Sequence, residues 1–311
     1  MHPGLQAGVL SFLTSGSTMA SQAAILAAPP PHASFLFLNQ REGTEPAAAL
    51  AQLQSMPGSP GLISGLGPAW VARFGADIPG LRPMPTFDGA AVATPATPAD
   101  LMLRVAGADP GEVLHRERAL LAWLAAFEVV DRVLGFVHGE SRDLSGYEDG
   151  TENPTGDRAQ QVAFGGERGP GLTGSAVVAV QRWVHDLGAL DAMTKAEQDH
   201  TIGRERVSNE ELDDAPESAH VKRTAQEDFE PEAFVLRRSM PWRDSRGAGL
   251  VFVSFSETLD PFAAQLRRMV GLDDGIVDGL YRFTRPVTGA TFWCPPVEDG
   301  RLDLRAVSPQ G

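Results

Sequence analysis

Apolar and polar positions alternate along residues 32–40, HASFLFLNQ, with the two-residue period of a strand that buries one face. The next apolar run, residues 45–56 (EPAAALAQLQSM), changes to the spacing of a helix face. Residues 61–75 (GLISGLGPAWVARFG) read as a strand region broken by glycine, and residues 100–109 (DLMLRVAGAD) as a clear strand. Residues 111–130 (GEVLHRERALLAWLAAFEVV) carry helical spacing, and 131–140 (DRVLGFVHGE) return as a strand. The order β-α-β-β-α-β is that of a ferredoxin-like unit.

The same grammar recurs downstream. Residues 174–187 (GSAVVAVQRWVHDL), 233–242 (AFVLRRSMPW), 249–257 (GLVFVSFSE) and 288–296 (TGATFWCPP) read as strands. Residues 194–206 (TKAEQDHTIGRER) and 260–271 (DPFAAQLRRMVG) read as helices, the second opened by Asp260-Pro261 as cap and first-turn pair. The pattern predicts an α+β protein of two tandem ferredoxin-like domains with antiparallel sheets, over residues 31–143 and 144–311. A flexible tail over residues 1–30, ending in three prolines, precedes them. An acidic, irregular insertion at 205–232 is long enough to be either functional or disordered.

Composition narrows the function. The 311 residues are 42% hydrophobic, enough for a large core, and 26 basic against 40 acidic side chains give a net charge of −14. That charge repels phosphate backbones and anionic lipid, so nucleic acid and membrane surfaces are poor partners and a small-molecule ligand fits better. The lone Cys294 rules out an intrachain disulfide and a CxxC motif, and suits a reducing cytoplasm. The N-terminal stretch lacks a basic n-region, and no run reaches the ~18 apolar residues of a membrane span. Cytoplasmic localisation is the expectation, with Met19 competing with Met1 as the start.

Three features could carry chemistry. Residues 146–154, GYEDGTENP, frame Asp149 with Gly146 and Gly150. These are the residues a surface turn selects, and equally those of a loop that holds one carboxylate at a working site. His220 stands apart among the seven histidines, behind a helix-breaking Pro216 and just ahead of Lys222 and Arg223, though a solvated histidine fits the same sequence. Arg237 and Arg238 are adjacent in a strand, so their side chains leave on opposite faces and one points inward. An inward arginine needs either an acidic partner or an anionic ligand. No histidine pair has metal-ligand spacing, and there is no P-loop, no GxGxxG after a strand and no GxSxG.

Together these segments resemble the dye-decolourising peroxidases. The family's GxxDG motif reads here as Gly146-Tyr147-Glu148-Asp149-Gly150 followed by TENP; SAHVKR is similar to its proximal-histidine segment and LRRSMPW to its distal-arginine segment. The ending GLYRFTRPVTGATFWCPP is similar to the bacterial cytoplasmic branch, and the likeness spans residues 32 to 297. It implies two ferredoxin-like domains of the dimeric α+β barrel type around non-covalent haem b. It also implies His220 as the proximal iron ligand, Asp149 as distal acid-base residue, Arg237 as distal arginine with Ser239 in the same pocket, and Asp278 as acceptor of the histidine's other N–H. Hydrogen peroxide would oxidise dyes and other aromatic or small reductants by one-electron steps through a ferryl intermediate. An aspartate base, ordinarily titrating near ~3.9, would stay active in acid where a histidine base is protonated below ~6.5.

Glu148 and Glu152 fall to solvated or structural roles on this reading. Electron transfer from bulky dyes could use Trp70, Trp123, Trp183, Trp242, Trp293, Tyr147 or Tyr281, for each of which core packing is the weightier explanation. The implied partners are peroxide, a reductant and further copies of the chain in a homo-oligomer. A haem-handling protein with incidental peroxidase activity is the alternative. A cofactor-free binding module is a third possibility.

Overall fold

The computed structural model describes residues 21–308. The first half contains β1 (His32–Gln40), α1 (Pro46–Ser55), β2 (Leu62–Leu66), α2 (Pro68–Ala72), β3 (Leu101–Gly107), α3 (Pro110–Trp123) and β4 (Phe127–Phe136). The second contains α4 (Gly156–Phe164), β5 (Ala176–His185), α5 (Leu187–Asp191), α6 (Lys195–Ile202), α7 (His220–Arg223), β6 (Leu236–Arg237), β7 (Met240–Asp244), β8 (Gly247–Ser256), α8 (Asp260–Met269), β9 (Thr284–Pro286) and β10 (Ala290–Cys294). A two-stranded hairpin, β11 (Val297–Glu298) and β12 (Arg301–Leu302), follows.

All pairings are antiparallel, and the α+β class expected from the sequence holds. Within each half the ladders are long, such as β1 on β4 and β5 on β8. Between halves they are thin: β4 meets β7 through Gly135↔Trp242, and β2 meets β10 through Trp293↔Leu66. These two seams join the halves into one closed barrel, in the order β8-β7-β4-β1-β3-β2-β10-β5 and back to β8. Closure removes the sheet edges that either half would otherwise expose. Alternation then divides the strands cleanly: Phe35, Ile63, Met102, Val178, Met240, Val253 and Phe292 fill the interior. On the outer face, α1, α2 and α3 bury Leu50, Leu53, Trp70 and Leu120 against Leu36, Leu38 and Leu103. Along β5, Val177 and Ala179 pack with Phe262 and Leu266 of α8, each large side chain contributing about 1.5–3 kcal/mol by burial.

Five expectations are corrected. The tail expected over residues 1–30 lies outside the described residues up to residue 20, but from Gln22 the chain is built into the barrel. Ala24 and Ile25 join its interior, Gln22 bonds Ser64 and Pro295, and Leu26 O accepts from Arg238 Nη2 at 2.7 Å. Helix α3 stops at Trp123 rather than 130: Gln52 Oε1 takes the Ala126 N–H at 2.9 Å, and Phe127 then pairs with Gln40 of β1. The Gly-broken stretch 61–75 contains a helix, α2, started by Pro68. At α8 the N-cap is Leu259 without a side-chain bond, and Asp260 is already helical.

The predicted strand over 233–242 is divided. Arg238 N donates to Val253 O at 2.8 Å, but Val253 N is taken by Ser239 Oγ at 3.3 Å instead of a carbonyl, which separates β6 from β7. Leu236, Met240 and Trp242 face the barrel interior. Arg238 shares their parity, so Arg237 leaves on the outer face. Burial, and then the nearby Arg238, push the guanidinium of interior Arg104 down to about 10, and its Nη2 finds only the carbonyl of Ala24 at 3.1 Å.

Candidate active site

The outer face of β5 and β8 and the helices α7 and α8 enclose a cleft lined by Gln181, Trp183, Leu250, Phe252, Phe262, Leu266 and Met269. His220, Asp149 and Arg237 line the same cleft. A second, smaller opening shares Asp149 and Arg237 and adds Pro29, His138, Arg238 and Ser239, so the aspartate and arginine stand where the two cavities meet. Ser239 lines only the smaller one, its hydroxyl accepting from Val253 N.

His220 opens α7, after the break at Pro216. Its Nδ1 lies 2.8 Å from Asp278 Oδ2, on a carboxylate whose side chain is 0% exposed and whose Oδ1 accepts the Leu280 N–H at 2.8 Å. A carboxylate accepts, so Nδ1 is the nitrogen that donates here, and in the neutral imidazole Nε2 carries the lone pair. The loop of Asp278 is itself fixed: Asp278 N donates to Met269 O at 2.8 Å and Gly279 N to Ser218 O at 2.6 Å.

The stretch 146–154 is a clamped turn. Gly146 and Gly150 have φ of 90° and 89°, which other residues rarely adopt, and Asp149 N donates to Ser141 O at 3.0 Å. Its other acids are anchors: Glu148 accepts from Arg142 at 2.8 Å and Asn209 at 2.9 Å, and Glu152 from Arg204 at 2.6 Å. Asp149 remains free of such bonds, 3.7 Å from Arg237 Nε, too long for a hydrogen bond and close enough for electrostatic coupling. The segment 205–232 supplies Asn209, Glu211 and His220, so the irregular insertion forms a wall of the site.

Sequence reasoning missed several pairings in and beside the cleft. His185 bridges Asp143 at 2.9 Å and Thr284 at 2.6 Å. Burial raises the Asp143 carboxyl, but the bonds from His185 and Ser145 outweigh it and hold it below its ordinary range. Tyr147 donates to Asp199 at 2.6 Å, and burial together with that bond drives its phenol upward. Asn153 bonds both backbone groups of Arg237. Only strand-end position and residue type could have flagged His185; nothing local marks the other pairings. Of the aromatic candidates, Trp70, Trp242 and Trp293 are core residues at 0% exposure. Trp183 and Tyr147 line the cleft, Tyr281 sits 5.5 Å from the Trp183 ring, and Trp123 is at the surface.

A histidine that uses one ring nitrogen on Asp278 and lines a cleft walled in part by apolar side chains suits a metal that arrives with its remaining ligands. Among the described residues no group of three or more His, Cys, Asp or Glu could hold a bare ion, and no helix is long and apolar enough to cross a membrane.

Comparison with known proteins identifies the class. A family model described as Dyp-type peroxidase, C-terminal, matches residues 140–299. A dye-decolorizing peroxidase of Mycolicibacterium paratuberculosis is 33% identical over 296 residues, covering 88% of this chain and 83% of that protein. One of Mycobacterium tuberculosis is 33% identical over 239 residues, 74% of this chain and 71% of its own. Among solved structures, a dye-decolorizing protein from V. cholerae matches with a TM-score of 0.77 at 30% identity, covering 88% and 96% of the two chains. DyPB from Rhodococcus jostii matches at 0.79 and 28% identity, covering 89% and 96%. A variant of the R. jostii protein was solved in complex with heme. The chain belongs to the dye-decolorizing peroxidase family, and it is a DyP-type peroxidase.

Proposed function

We propose that the cleft holds haem b non-covalently and that the protein reduces hydrogen peroxide at the expense of dyes and other aromatic or small reductants. The observation that carries this reading is His220, with Nδ1 fixed by buried Asp278, lining a cleft that it shares with Asp149, Arg237 and a group of apolar side chains. His220 Nε2 would bind the haem iron, and the acceptor on Nδ1 would make the imidazole a stronger donor. Val235, Phe252, Phe262, Leu266 and Met269 would cover the macrocycle. Haem supplies the iron at which peroxide is bound and the redox equivalents passed on in one-electron steps.

The protein's own groups handle the proton and the charge. Asp149 accepts the proton of the near peroxide oxygen and returns it to the far one, which leaves as water. Arg237, 3.7 Å away, stabilises the negative charge that grows as the O–O bond breaks. An aspartate base keeps this chemistry running below the ~6.5 at which histidine gains its proton, so rates that peak in acid follow. Absorption spectra test the reading. Wild-type protein should show a Soret band that His220→Ala loses. Asp149→Asn should keep the band and slow the peroxide reaction about a hundredfold or more. A haem carrier would lose little in Asp149→Asn, and an absent Soret band in wild-type protein would end the proposal.

A further inference from the structure

Arg237 has its peptide N–H and C=O turned away from β8, and one side chain meets both. Asn153 Oδ1 accepts from Arg237 N at 2.7 Å, and Asn153 Nδ2 donates to Arg237 O at 3.1 Å. The carboxamide thereby stands in for a neighbouring strand at the outer edge of β6. Asn153 is also part of the turn that follows Asp149: its own N–H donates to Gly150 O at 3.0 Å. Pro154 restricts its backbone to an extended conformation. The Arg237 carbonyl receives a second donor, Arg238 Nη1 at 2.9 Å, whose Nη2 is held by Leu26 O.

We propose that Asn153 is the positioning residue of the site: its carboxamide docks the loop carrying Asp149 onto the strand carrying Arg237 and so sets the separation of the two side chains. The inference rests on the proposed roles of Asp149 and Arg237. Only an amide offers one donor and one acceptor in the plane and spacing of a strand partner. A carboxylate lacks the donor, and a hydroxyl cannot span both groups. The Asp149–Arg237 distance depends on where two separate chain segments lie, and this pair of bonds joins them directly within a few residues of both side chains.

The test is a double-mutant cycle read by cyanide binding to the ferric holoprotein, followed by the Soret shift. Arg237→Leu should weaken cyanide about a hundredfold and Asn153→Ala about tenfold, with haem retained in both. The double variant should bind within about twofold of Arg237→Leu, because a residue acting through Arg237 has nothing further to lose. Asn153→Ser, which keeps a short polar side chain in the turn, is the companion should the alanine protein fail to retain haem, with the same result expected. Asn153 variants within about twofold of wild type, or a full extra loss in the Arg237→Leu background, would overturn the proposal. If Arg237→Leu itself leaves cyanide binding unchanged, the distal role of Arg237 fails and this inference with it. If Arg237→Leu weakens binding while Asn153→Ala does not, only the positioning role fails.

Discussion

Asp278 meets His220 through a single 2.8 Å bond, and its buried position makes that bond costly to lose; in the proposed site this is its route to the haem. Asp278→Asn should keep the fold, weaken haem binding about tenfold, and raise the reduction potential of the haem, since a weaker acceptor leaves the imidazole less electron-donating. Haem titration and spectroelectrochemistry check this. Asp143 carries a pH prediction. Its carboxyl is held below the ordinary range, so the stability it contributes is complete above its unfolded pKa of ~3.9 and is lost as pH falls through the lower folded value. Asp143→Asn should therefore lose stability at neutral pH and unfold with a flatter acid limb below about pH 4, measured by thermal unfolding across pH. The sequence could single out His220, Asp149 and Arg237, which share one cleft, because each sits in a distinctive local segment. Asp143 with His185, and Asn153 with Arg237, were not, because their partners lie 42 and 84 residues away in sequence.

At the scale of elements, the turn around Asp149 works because two glycines take left-handed backbone and the neighbouring acids are tied down. A Cβ on Gly150, at φ of 89°, would lie 2.5 Å from Asn153 Nδ2. Gly150→Ala should cost about 1–2 kcal/mol from the backbone alone. It should also displace the Asn153 amide, so the rate with peroxide falls further than the loss of stability explains while the Soret band persists; stopped-flow kinetics beside thermal unfolding separates the two. Residue types announced this turn clearly. Other element boundaries were illegible for physical reasons: the FEVV segment after α3 suits helix and strand alike, and pairing with β1 decides it. The break between β6 and β7 depends on a hydroxyl replacing a carbonyl at Val253 N, which periodicity does not register.

For the whole molecule, alternation showed two similar halves, while their closure into one barrel rests on contacts no local pattern contains. The β2–β10 seam has the single pair Trp293↔Leu66, and Gln22 reinforces it from outside both strands. Its side chain accepts from Ser64 N at 2.8 Å and donates to Ser64 O and Pro295 O at 2.9 Å each, tying β2 to the segment that leaves β10, 273 residues along the chain. Gln22 is 5% exposed, so water cannot readily replace these bonds in a truncated variant. Gln22→Ala should cost about 2–3 kcal/mol, most of it from the stranded Ser64 N–H, and lower the unfolding midpoint by about 5 °C. Because Gln22 touches neither cavity, haem affinity and the peroxide rate at low temperature should stay at wild-type values. Thermal unfolding of the holoprotein checks the first part and stopped-flow kinetics the second; an unchanged midpoint would mean that the two thin seams close the barrel without help from the N-terminal segment.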